Sequence, residues 1–145
     1  MPINTILVAL KPDGDHEILV DSALDVAVPS DATIVIGVAH TETSYDAALA
    51  DFDGQASPDE LAERNKEVRN ISKRLDEKSI DYEIRGAVGE TGDPYVSLAE
   101  DVDADILFVQ GQKRSPTGKA LFGSTAQDLL LNAPCPVTFV RQQSK

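Results

Sequence analysis

The sequence predicts a three-layer α/β fold built on a parallel five-stranded sheet. Three observations carry this. Five short apolar runs, rich in β-branched residues, recur along the chain. Stretches with helical periodicity lie between them. Capping residues stand where those helices should begin. Strictly alternating strands and helices imply a parallel sheet covered on both faces.

The first strand is "TILVAL", Thr5–Leu10. The helix after it places Ile18, Leu19, Ser22, Ala23 and Val26 on one face. The second strand is "TIVIGVA", Thr33–Ala39. His40–Ser57 is acidic and weakly patterned, which predicts a loop or a short helix. "SPDE" then offers a capping box, with Ser57 as N-cap, Pro58 at N1 and Glu60 at N3. The charged stretch that follows mixes signs, as in Lys73–Glu77. It reads as one solvent-facing helix with a single buried stripe of Leu61, Val68, Ile71 and Leu75.

"YEIRGAV", Tyr82–Val88, alternates more than the other strands and so belongs nearer an edge. In "GDP", Asp93 is the expected cap and Pro94 the first helical residue, followed by a face of Tyr95, Leu98, Ala99 and Val102. "ILFVQ", Ile106–Gln110, is the fourth strand, and "PVTFV", Pro136–Val140, the fifth. Between them "STAQ" offers Ser124 as cap with Gln127 at N3, and a face of Ala126, Leu129, Leu130 and Ala133. At 145 residues the chain is most simply one domain, residues 1–145.

A net charge of −12 argues against affinity for nucleic acid or an anionic membrane. The acidic surplus, mostly Asp, also fits a high-salt cytoplasm, because strong net charge is one lever halophiles use. The single cysteine, Cys135, excludes an internal disulfide and fits a reducing compartment. The N-terminal "MPINTILVAL" lacks the basic region and cleavage site of a signal peptide, and no apolar run reaches a membrane span. The expected location is cytoplasmic.

The acidic chain gathers positive charge in one loop, "GQKRSPTGKALFGSTAQ", Gly111–Gln127. It follows the fourth strand directly. Ligands of open parallel sheets bind beyond the carboxyl ends of the strands. Gly111, Gly118 and Gly123 permit close backbone approach. Lys113, Arg114 and Lys119 add charge, and the helix opened by Ser124 presents free N–H groups. Backbone donors from Gly123 to Thr125 would form a phosphate cradle. The loop is not a P-loop: Lys113 stands where the first glycine belongs, and Ala120 follows Lys119 in place of Ser or Thr. The first βα turn, "KPDGDHE", is not a dinucleotide fingerprint either.

The element order, "GDP", "DADILFVQG", "FGSTAQDLL" and the closing "NAPCPVTFVR" together resemble the universal stress protein family over essentially the whole chain. The resemblance implies an adenine nucleotide alpha hydrolase-like sheet in the order 3-2-1-4-5. It implies a homodimer through the last strand, Val137–Val140, which would cover an edge. It implies binding of ATP, or of AMP or ADP, and allows Mg²⁺ to accompany the phosphates. One branch binds ATP through Gly, two residues, Gly, nine residues, then Gly with Ser or Thr. Gly111 and Gly123-Ser124 match the ends of that pattern. Arg114 replaces the second glycine, and only eight residues separate it from Gly123. The family's Asp after the first strand falls on Lys11 in direct register, or on Asp13 if the loop bulges at Pro12. Val38, at the end of the second strand, would border the base. The expected site is therefore Pro12, Asp13, Val38, Gly111, Arg114, Gly118, Lys119, Gly123, Ser124 and Thr125.

Other candidates carry less. His16 and His40 read as surface or capping residues, and Cys135 as a buried packing residue. Asp101, Asp103 and Asp105 read as a turn at the amino end of the sheet. Ser115, Ser124 and Thr125 have no paired base, so at most slow ATP hydrolysis is expected. The leading expectation is a nucleotide-binding stress-response protein with a sensing or regulatory role. The alternatives are a nucleotide-free interaction or chaperone-like module of the same fold and, less favoured, a hydrolase of an anionic small molecule.

Overall fold

The computed structural model describes residues 2–12, 15–111 and 123–141. Its elements are β1 (Thr5–Leu10), α1 (Glu17–Ser30), β2 (Thr33–His40), α2 (Glu42–Leu49), a 3-10 turn (Ala50–Phe52), α3 (Pro58–Arg64) and α4 (Lys66–Glu77). These are followed by β3 (Tyr82–Val88), α5 (Asp93–Asp101), β4 (Ile106–Gly111), α6 (Ser124–Asn132) and β5 (Val137–Arg141). The strands form one parallel sheet in the order β3-β2-β1-β4-β5, as expected.

Side chains alternate across the pleat, so each strand feeds two cores. Ile6, Val8 and Leu10 of β1 join Ile34, Ile36 and Phe108 against α1 and α4. Leu7 and Ala9 join Val35, Leu107 and Val109 against Tyr95, Leu98 and Ala99 of α5 and Leu129 of α6. The continuously apolar runs are thus explained: both faces of the central strands are buried.

Several sequence expectations need correction. The buried face of α1 is Leu19, Val20, Ala23, Leu24 and Ala27, while Ile18 is exposed. In α6, Ala126 and Leu129 are buried but Leu130 is half exposed. The charged stretch is two helices, not one. Asn65 is extended (φ −66°, ψ 132°), and its Oδ1 accepts from Val68 N at 3.1 Å, so it ends α3 and caps α4. The caps of α5 and α6 are Gly92 and Gly123, one residue before the expected Asp93 and Ser124. The capping box at Ser57 and Glu60 is present as expected. Asp105 does more than turn the chain: its Oδ2 accepts from Asn4 N and Thr5 N, fixing the start of β1.

The two sheet edges differ. The β3 edge is covered by α3: Gly86 N donates to Asp59 Oδ1 at 2.7 Å, and a Cβ on Gly86 would collide with the Pro58 carbonyl. β5 forms the other edge, with Val137, Thr138, Phe139 and Val140 half-buried.

Candidate functional site

The order β3-β2-β1-β4-β5 reverses its winding between β1 and β4, and the carboxyl ends of these strands open onto two adjoining cavities. The larger is a cleft of about 610 Å³. Lys11 and Pro12 after β1, Ala39 and His40 at the end of β2, and Gly89 after β3 form its sheet side. Ser44, Ala48, Asp51 and Phe52, from α2 and the 3-10 turn, form part of its cover, with Arg64 of α3 opposite them. The Arg64 guanidinium lies 4.7 Å from the Phe52 ring centre, a cation–π contact. The smaller is a notch of about 70 Å³ lined by Lys11, Gln110, Gly111 and the first turn of α6, Gly123–Ala126. Lys11 and Thr125 line both.

The notch is built for a group that accepts hydrogen bonds. Gly123 is extended (φ −67°, ψ 166°) and supplies no side-chain cap, and the first turn of α6 carries no acidic residue. Gly123 thus gives the opening N–H groups of α6 no cap side chain, and the helix dipole adds positive potential there. Gly111 lines the notch, but its lack of a side chain has another cause. A Cβ there would fall inside the Phe139 ring of β5.

The loop after β1 is tied to the start of α4. Asn65 Nδ2 donates to the Pro12 carbonyl at 2.9 Å. Glu67 accepts from His16 N at 2.8 Å and pairs with His16 Nδ1 at 2.7 Å, while His16 Nε2 accepts from Lys11 N at 3.3 Å. With Nε2 accepting, Nδ1 carries the proton and donates to Glu67. His16 is therefore a buried structural residue, neither on the surface nor a side-chain cap. His40 is buried as well, at the wall of the cleft. Burial holds its imidazole below the ordinary histidine range.

Tyr95 lies beneath the cleft. Its hydroxyl donates to the Leu10 carbonyl at 2.5 Å, and burial raises the phenol far above its ordinary value. Asp128 joins α6 to the start of α5: it accepts from Thr91 Oγ1 at 2.8 Å, Gly92 N at 3.0 Å and Asn132 Nδ2 at 2.6 Å. The Thr91 bond leads in holding Asp128 below the usual carboxylate range, and the hydrogen bond to Asp128 raises Asp93. Burial pushes the half-buried Cys135 thiol up, consistent with a packing residue.

Of the residues the sequence put forward, Pro12 lies in the cleft, Gly111, Gly123 and Ser124 in the notch, and Thr125 in both. The Val38 side chain is buried in the core, and the wall of the cleft is built from the next two residues, Ala39 and His40. Asp13, Arg114, Gly118 and Lys119 lie outside the described residues. The sequence reading missed Phe52, Arg64, Asn65, Thr91 and Tyr95. The Asn-Lys-Glu run at Asn65 was the one legible signal among them, since it reads as a cap followed by an acidic first turn.

A doubly wound sheet with a cleft and a helix N-terminus at its switch point defines the class of α/β ligand-binding domains. The model of the universal stress protein family matches residues 2–141, and the chain belongs to that family. A universal stress protein of Mycolicibacterium smegmatis is 35% identical over 89 residues, 61% of this chain and 68% of that one. Two solved structures share the fold. A universal stress protein in complex with cAMP superposes with a TM-score of 0.67 at 21% identity, covering 99% of this chain and 100% of that one. A family protein from Arabidopsis thaliana with AMP bound gives 0.64 at 16% identity, covering 97% and 93%.

Proposed function

We propose that this chain binds an adenine nucleotide, ATP or its mono- or diphosphate, and acts as a cytoplasmic stress sensor or regulator. The observation that carries this is the continuity of cleft and notch across Lys11 and Thr125. The cleft is of a size suited to a small ligand, and the notch places backbone N–H groups and a lysine where a phosphate would lie. The neighbours with cAMP and with AMP support the choice of adenine, since the same fold holds adenine nucleotides in both.

In this reading 1–145 act as one domain. The base lies in the cleft against Ala39, His40 and the Phe52–Arg64 pair, and the phosphates reach the first turn of α6. Arg114, Gly118 and Lys119 complete the cradle, with Asp13 beside the ribose. Among the described residues no three His, Cys, Asp or Glu side chains converge on a metal site. A Mg²⁺ travelling with the nucleotide would draw most of its ligands from phosphate oxygens and water. The assembly in this reading is a homodimer through β5. The asymmetry of the edges supports it: α3 covers the β3 edge, whereas β5 ends the sheet, and an edge strand can pair with a second copy of itself.

The test is to denature freshly purified protein, identify the released small molecules by mass spectrometry, and titrate ATP and AMP by calorimetry at low and high salt. Gly123→Val should abolish binding and leave the fold intact, because its side chain keeps phosphate from the α6 N–H groups. Unchanged affinity in that variant sinks the cradle. No nucleotide at any salt concentration puts the interaction-module reading first.

A further inference from the structure

We propose that His40 is a recognition residue of the cleft, whose imidazole hydrogen-bonds the polar ring edge of the bound heterocycle. The inference rests on the nucleotide reading above and names the residue that would read the base. His40 ends β2 and lines the cleft, and it is 8% exposed. Among the described residues its buried Nδ1 has no hydrogen-bond partner. Buried polar atoms without a partner are rare in native proteins and call for an explanation.

The fold itself does not supply one. The backbone of His40 already serves the sheet, since its carbonyl accepts from Gly89 N at 2.9 Å. Its ring meets the edge of Tyr45, with ring centres 6.4 Å apart at 60°, a contact that leaves Nδ1 unbonded. His16 makes the contrast. It too is buried and sits at the same edge of the sheet, yet both of its nitrogens are bonded. A histidine needed for packing alone would be met in the same way, or replaced by an apolar residue at lower cost.

The surroundings select the ligand group. Burial lowers the imidazole pKa and so favours the neutral ring, and the charged residues that line the same cleft are Lys11, Arg64 and Asp51. A neutral imidazole offers one donor and one acceptor. That pairing suits a purine edge, with its ring nitrogens and exocyclic amine, and not a phosphate. In this proposal the imidazole turns about its side-chain bonds to bring Nδ1 to the ligand, beside Tyr45 of α2, a helix with no fully buried residue.

The experiment compares wild type, His40→Met and His40→Gln by calorimetric titration with AMP, by thermal melting without ligand, and by ¹⁵N shifts of the wild-type His40 ring with and without AMP. The Met variant should melt a few degrees higher, because it removes an unpaired polar atom from the interior. It should also bind AMP about 10- to 100-fold more weakly. His40→Gln should recover part of the affinity, and the ring shifts should move when AMP binds. A Met variant that melts lower and binds AMP as well as wild type overturns the proposal, and so do ring shifts that AMP leaves unmoved. Wild-type protein that binds neither AMP nor ATP overturns the nucleotide reading together with this one, which separates the two failures.

Discussion

Gly111 stands where a phosphate-binding glycine is expected, yet the structure gives it a packing role that can be measured. A Cβ on Gly111 would lie 2.6 Å from Phe139 Cε2 and closer still to two other ring carbons. Ordinary carbon contacts are about 3.5–4.0 Å, so in Gly111→Ala the nearest ring carbon must withdraw by roughly 2 Å. Overpacking of that size costs about 1–3 kcal/mol. Phe139 is half-buried, so Phe139→Ala should cost about 2 kcal/mol, below the ~3–5 kcal/mol of a fully buried phenylalanine. If the two effects were independent, the double variant would lose about 4 kcal/mol. If the ring is what excludes a side chain at 111, the double variant should lose little more than Phe139→Ala alone, a coupling of about 2 kcal/mol. Urea unfolding of the four proteins, followed by circular dichroism, reads this directly. Additivity within about 0.5 kcal/mol would refute the packing account and return Gly111 to a role in the loop or the ligand site.

Two further predictions concern the cleft. Asn65→Asp keeps the oxygen that caps α4 but loses the donor to the Pro12 carbonyl. Stability should change by less than about 1 kcal/mol, while amide exchange at Lys11 and His16 quickens and AMP binds more weakly; unchanged exchange would show that the loop after β1 holds itself. His40 has a depressed pKa, so the unfolded chain binds the extra proton first as pH falls. The stability this lends is complete above the unfolded value near 6.5 and is lost as pH drops from there toward the folded value. The stability difference between wild type and His40→Met should therefore widen in favour of the variant below pH 6.5; a constant difference would mean that the ring titrates as it does in water.

The parts legible in the sequence were those in which local pattern and tertiary fate agree. Strands buried on both faces read as unbroken apolar runs, and the Ser57–Glu60 capping box is complete within four residues. Helix faces were harder. In α1, "ILVDSALDVAV" is apolar on two adjoining stripes, so periodicity alone did not separate Leu19 and Val20 from Ile18 and Leu19. The helix-forming residues on both sides of Asn65 hid a break that depends on the side chain capping α4 and holding Pro12. The N-caps moved by one residue because glycine takes the cap position at 92 and 123 without supplying a cap side chain.

By itself, then, the sequence determined the alternating α/β order, the parallel sheet, the strand whose end bears the cationic loop and the helix that opens beside it. Those are consequences of hydrophobic period and backbone chemistry, which act over a few residues. Only the tertiary structure decided which residues face the cleft and which histidine is satisfied. Glu67 meets His16 across 51 residues of chain, Asn65 meets Pro12 across 53, and Phe139 fills the space beside Gly111 from a neighbouring strand. Among the described residues none brings such a partner to the buried nitrogen of His40. Contacts of this kind depend on how distant segments pack, and no local pattern in the chain encodes them.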